Sequence, residues 1–222
     1  MEQHQRLPPS KSLKQFEAAL RDCGRFPKQH QPLTIYEGAG KPRRLLYFTH
    51  DDWCINWMEE GRFPVGWRAL TRFGALPESY LSTVYHYAQA LGLPVYFVGD
   101  LNPAGLATYA TLRHARIRVG RAVRRIDVRY LGVDDRWRHL CVSHLKRGES
   151  LPDDIPVSPE DMLLLEALRG VLPDLESLIG PQCHARLSSG YAFAFHPAVN
   201  PSYYTRPFHD RLIAHLSRAE GK

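Results

Sequence analysis

Between Arg43 and Val133 short apolar runs alternate with amphipathic helical patterns, and this alternation constrains the fold more than any other feature of the chain. Leu45–Phe48, Trp67–Thr71 and Leu93–Val98 read as strands. Trp53–Glu60, Ser79–Ala90 and Leu106–His114 read as helices, with Gly61 and Gly92 as stops. The apolar runs are too short for helices and lack polar alternation, as expected of strands covered on both faces. Strand, helix and strand in succession require crossover connections, so the expected class is α/β, a Rossmann-like parallel sheet flanked by helices. Ile126–Val133 offers one more strand.

The flanks read differently. Leu13, Phe16, Ala19 and Leu20 recur at helical spacing behind Ser12, and Gly24 and Pro27 would end that helix. Ser158-Pro159-Glu160-Asp161 opens another helix, running to about Arg169, with an N-cap, a proline at the first helical position and acids in the first turn. Pro173–Ile179 and Phe208–Ser217 suggest further helices. Tyr191–Pro207 has no clear period, although alternation in YAFAFH suggests a packed strand. The expected organisation is a tail and short helix over 1–41, then one domain over 42–222 with an extra helical C-terminal part.

With 222 residues, 44% of them hydrophobic, the chain can bury a core. No apolar run approaches eighteen residues and the first residues lack an apolar leader, so no membrane partner and a cytoplasmic location are expected. Cys23, Cys54, Cys141 and Cys183 form no CxxC pair, so neither a disulfide framework nor a zinc knuckle is suggested. No P-loop, dinucleotide glycine fingerprint or GxSxG elbow occurs. The excess of 29 Lys+Arg over 23 Asp+Glu permits an anionic partner without requiring one.

In open parallel sheets functional groups collect beyond the carboxyl ends of the strands. Three polar clusters fall there: Thr49-His50-Asp51-Asp52, Gly99-Asp100-Leu101-Asn102 and Asp134-Asp135. Carboxylates on neighbouring strand ends suit magnesium or manganese, which take oxygen ligands. Asp and Asn are also ordinary turn formers, so the clusters alone leave both readings open.

Three segments carry a resemblance: LLYFTHDDWCINWMEEG, ALTRFGALPES with the helix STVYHYAQALGLP, and VYFVGDLNPAGLATYATLR. Their order and spacing resemble the Toprim domain of the type IIB topoisomerase A subunit, of its meiotic double-strand-break relatives and of the Wadjet nuclease subunit. That resemblance implies a metal-dependent site of one glutamate and two aspartates. Thr49 stands here in place of the glutamate and Asn102 in place of the second aspartate, and only Asp100 keeps its acid. Catalytic positions are therefore Asp100 and Thr49, and the candidate metal ligands are Asp100, Asn102, Asp51 and Asp52. His50 could join Asp51 and Asp52 in a rebuilt site, and Glu37 in IYEG is a more remote substitute. Losing two carboxylates leaves little to offset magnesium dehydration, so the expectation is lost or weak catalysis. About forty residues precede the first strand, too few for the winged-helix domain that supplies the tyrosine nucleophile in topoisomerase subunits, so a protein partner would have to supply it.

Arg113, Arg116, Arg118, Arg121, Arg124 and Arg125, with Arg129 beyond them, suggest a nucleic-acid backbone contact. An exposed helix end and linker is the competing reading. His184, His196, His209 and His215 lie near Cys183 without a regular metal-ligand spacing. Tyr191, Phe193, Phe195, Tyr203, Tyr204 and Phe208 fit core packing or a partner patch. The leading expectation is a DNA-associated subunit of a larger nuclease, topoisomerase-like or defence assembly, catalytically degenerate. One rival is a divergent magnesium- or manganese-dependent phosphodiesterase using Asp100 with Asp51 or Asp52, and another is a structural interaction module.

Overall fold

A computed structural model describes residues 10–22, 32–72, 76–143, 155–193 and 206–218. Among the described residues, seven strands precede residue 131: β1 (Thr34–Glu37), β2 (Arg44–Phe48), β3 (Trp67–Thr71), β4 (Val95–Val98), β5 (Ile117–Val119), β6 (Ala122–Arg124) and β7 (Val128–Tyr130). Five of them form one sheet in the order β1-β3-β2-β4-β7. β2, β3, β4 and β7 run parallel, and β1 pairs antiparallel with β3. The protein is thus mixed α/β with a mostly parallel central sheet. Every residue of β2 and β4 is buried, which is why their sequences lack alternation.

Four helices accompany these strands: α1 (Ser10–Asp22), α2 (Asp52–Glu59), α3 (Glu78–Leu91) and α4 (Pro103–His114). α2 covers one face, where Trp57 meets Phe48 edge-on at 6.2 Å. α4 covers the other, where Tyr109 packs on Phe97 at 5.4 Å and Tyr130 at 5.1 Å. The rest of the chain adds α5 (Asp135–Ser143), β8 (Ile155–Pro156), α6 (Pro159–Val171), α7 (Leu175–Ile179), α8 (Pro181–Ser188), β9 (Tyr191–Ala192) and α9 (Arg206–Arg218). α6 lies between α1 and α4, so Phe16, Leu164, Leu165 and Leu168 join the core that the sheet begins. Ser158 caps α6 as its sequence suggests, accepting from the Asp161 N–H at 3.2 Å.

Several boundaries differ from the sequence reading. α1 starts at Ser10, ahead of Ser12. α4 starts at Pro103 rather than Leu106, because Asn102 is its N-cap and proline occupies its first turn. The strand expected over Ile126–Val133 is three residues long, since the chain turns at Gly132 and the Tyr130 hydroxyl donates to the Val133 carbonyl at 3.1 Å. Residues 34–37, assigned above to the N-terminal segment, are an edge strand of the sheet. The stretch after α4 is a two-stranded hairpin instead of a helix end and linker. Phe195, His196, Tyr203 and Tyr204 lie outside the described residues.

Candidate functional site

The parallel register sets the geometry of the carboxyl edge. Phe48 pairs with Val98, and the Thr49 N–H extends the ladder to the Val98 carbonyl at 3.3 Å. Thr49 and His50 therefore fall beside Gly99 and Asp100. The His50 Nε2 lies 3.0 Å from Asp100 Oδ2, and the Asn102 amide donates to the same oxygen at 3.3 Å. Asp100 is 5% exposed and Thr49 3%. Two glycines make this crowding possible. A Cβ at Gly99 would stand 2.8 Å from the Thr49 methyl, and one at Gly105 only 2.6 Å from the Asp100 carbonyl oxygen.

Thr49, Asp100 and Asn102 are thus brought together, with His50 added. Asp51 occupies the N-cap position of α2, makes no side-chain cap bond and is exposed, and Asp52 opens that helix. The carboxylate holds the imidazole ring in one orientation through this bond. Among the described side chains the cluster offers one carboxylate, where a magnesium centre of paired carboxylates draws on at least two. Asp100 is the single described acid in the cluster, its Oδ2 accepts two hydrogen bonds, and Asn102 Oδ1 is taken by the Gly105 N–H at 2.6 Å.

Other acids in the sequence reading have structural employment. Glu37 pairs across from Arg68 at the start of β3, the opposite edge of the sheet, so it cannot substitute for Thr49. It accepts from the Tyr87 hydroxyl at 2.7 Å, and burial with this carboxylate pushes Tyr87 up to about 12. Asp134 caps α5 through the Arg136 and Trp137 N–H groups. Asp135 accepts from the Gln182 and Cys183 N–H groups at the start of α8. Burial first, then the Asp135 carboxylate, push the Cys183 thiol well up, so Cys183 is an inert core group. Phe193 pairs with Leu101 through two backbone bonds of 3.0 and 2.9 Å, which ties the C-terminal part to the turn carrying Asp100.

The arginine stretch folds into a ribbon. β5 and β6 pair antiparallel around Gly120-Arg121, with Gly120 at φ +59° and no positive φ at Arg121, the pattern of a two-residue Gly-X turn. Arg116, Arg118, Arg121, Arg124 and Arg125 are exposed, and none forms an ion pair with a described residue. Arg118 sits opposite Val123 on one face and Arg124 opposite Ile117 on the other, with Arg121 at the tip. Arg113 differs: its fork grips the Asp174 carboxylate with two bonds of 2.9 Å, and its side chain is 9% exposed.

The chain matches no protein-family model and no curated protein.

Its two polar surfaces stand apart. α4 leaves the carboxyl edge at Asn102, runs back along the sheet for 12 residues, roughly 18 Å, and delivers the ribbon to the opposite edge. The ribbon is thus joined to the amino edge of the sheet and the Asp100 cluster to its carboxyl edge. The His50 contact follows from the strand register, which sets it beside Asp100, whereas a resemblance defined by acids does not point to a histidine. The ribbon was missed because arginines hide its alternation. Its one signal is the Gly-X pair inside RIRVGRAVR.

Proposed function

We propose that this protein is a DNA-associated, Toprim-like subunit of a larger nuclease, topoisomerase-like or defence assembly, docking through the arginine ribbon and contributing little or no catalysis itself. The observation that carries this reading is the set of five exposed arginines on and beside a two-stranded hairpin, without acidic partners among the described residues. Arginine forks match phosphate oxygens, and a two-stranded ribbon is narrow enough to lie in the major groove. Support for the Toprim likeness rests on the three motif segments and on the side-by-side placement of Thr49 with Asp100 and Asn102. The weak catalysis follows from the donor set, one acid where the likeness implies three.

DNA affinity measured against salt tests the reading. If all five arginines neutralise phosphates, the log–log slope is roughly −4 to −5, and replacing Arg118, Arg121 and Arg124 with alanine flattens it by roughly 3. Absence of binding at low salt, or an unchanged slope in the variant, defeats it. Nicking of supercoiled plasmid with manganese, lost in Asp100→Ala, would instead assign the divergent phosphodiesterase. A stable copurifying protein with no DNA affinity would assign the interaction module.

A further inference from the structure

Arg72 is a buried cation among the described residues. It follows Thr71 at the carboxyl end of β3, and its backbone is held twice: its N–H donates to the Phe48 carbonyl at 3.3 Å and its carbonyl accepts from the Tyr47 hydroxyl at 3.1 Å. Because Phe48 pairs with Thr71, Arg72 is the in-register neighbour of Thr49. Its guanidinium lies over the Tyr80 ring in the first turn of α3, 4.4 Å from the centroid. The residue is 8% exposed. Its Nε and Nη1 have no hydrogen-bond partner, and no described acid pairs with it.

This arrangement is unfavourable as it stands. An arginine cannot shed its proton, so burial leaves a full charge and unpaired N–H groups in the interior. Stacking on Tyr80 fixes the plane of the fork without neutralising it. The adjacent N-terminus of α3 has Pro77 at its cap position and no side-chain cap bond. A helix N-terminus and an uncompensated guanidinium facing the same strand ends attract the same kind of partner.

We infer that the carboxyl ends of β2 and β3 form an anion site, in which Arg72 and the α3 N-terminus take a phosphate-type oxyanion, either a small phosphoester or the terminal phosphate of a nucleic-acid strand. The fork offers N–H groups on two edges, which suits the tetrahedral oxygens of phosphate. The site lies at the edge away from the ribbon, so it stands or falls independently of DNA docking there.

Thermal unfolding in chloride buffer, with phosphate added at constant ionic strength, tests the assignment. Wild-type protein gains several degrees of Tm in millimolar inorganic phosphate. Arg72→Met, which keeps the apolar stem over Tyr80, loses the gain and is at least as stable as wild type without phosphate. The triple ribbon variant R118A/R121A/R124A keeps the gain, which excludes phosphate collected by the exposed arginines. If Arg72→Met does not fold, Arg72→Lys keeps the charge without the fork and binds phosphate about tenfold more weakly. On the ribbon variant, AMP is compared with a 5′-phosphorylated oligonucleotide and its 5′-hydroxyl twin. Stabilisation by AMP assigns a small phosphoester, and stabilisation by the phosphorylated strand alone assigns a chain end. No response to any of these probes, or an equal response in Arg72→Met, overturns the proposal.

Discussion

Asn102 shows how one side chain can serve both helix and cluster. Its Oδ1 closes the first turn of α4 while its amide steadies Asp100. Asn102→Ala removes both and is expected to cost about 0.5–2 kcal/mol in urea unfolding. Asn102→Asp is the sharper experiment. Aspartate caps as well as asparagine, but it sets a second carboxylate against Asp100. The expected outcome is a loss of about 1 kcal/mol at pH 7, recovered by millimolar manganese as the added acid supplies the missing ligand charge. Calorimetric unfolding with and without the ion checks it, and the same loss in both conditions would show that a carboxylate at residue 102 does not rebuild a cation site. Gly105→Ala probes the neighbouring crowding, because its methyl would meet the Asp100 carbonyl, and a loss of about 1–3 kcal/mol is expected.

At the scale of elements, the α4–α6 packing and the ribbon make separate predictions. His114 on α4 meets the Val171 carbonyl at the end of α6 at 2.8 Å. Burial, with help from Arg113 and Arg125, lowers its pKa despite that bond and Asp174, and burial lowers His215 on α9 likewise. The unfolded chain therefore takes up protons near the ordinary pKa of about 6.5, and the folded chain resists them. Stability is full above that value and declines as pH falls through it toward the lower folded pKa. The urea midpoint should drop between pH 7.5 and 5.5, and His114→Gln should remove part of the drop. For the ribbon, Gly120→Val forces a branched residue into φ +59° and opens the turn. Salt-sensitive DNA affinity should fall several-fold while Tm moves little, since the hairpin lies outside the main sheet.

Taking the molecule whole, the attachment of the ribbon and the Asp100 cluster to opposite edges of the sheet implies energetic independence. Substitutions at Arg121 and at Asn102 should add within about 0.5 kcal/mol in both stability and DNA affinity. A larger coupling, read from a double-mutant cycle, would mean that the two edges communicate through α4. On the proposed DNA-docking reading, this placement keeps a short duplex on the ribbon away from Asp100.

Local sequence was enough to place β2, β3, β4 and the helices between them, because a continuous apolar run followed by a helical stripe has few other ways to bury itself. It also placed Thr49 near Asp100 and Asn102, since both segments follow apolar runs that end at the carboxyl edge of one parallel sheet. It said little about β1, whose four residues alternate between half-buried and exposed, or about the ribbon, whose exposed arginines carry no core-facing pattern. Only the tertiary structure decided which polar groups were already taken, such as Arg113 by Asp174 and Glu37 by Tyr87, and which end of the sheet each cluster occupies. Those facts depend on crossover direction and on side-chain contacts between residues 50 or 61 positions apart, and no pattern within a few residues of the chain encodes them.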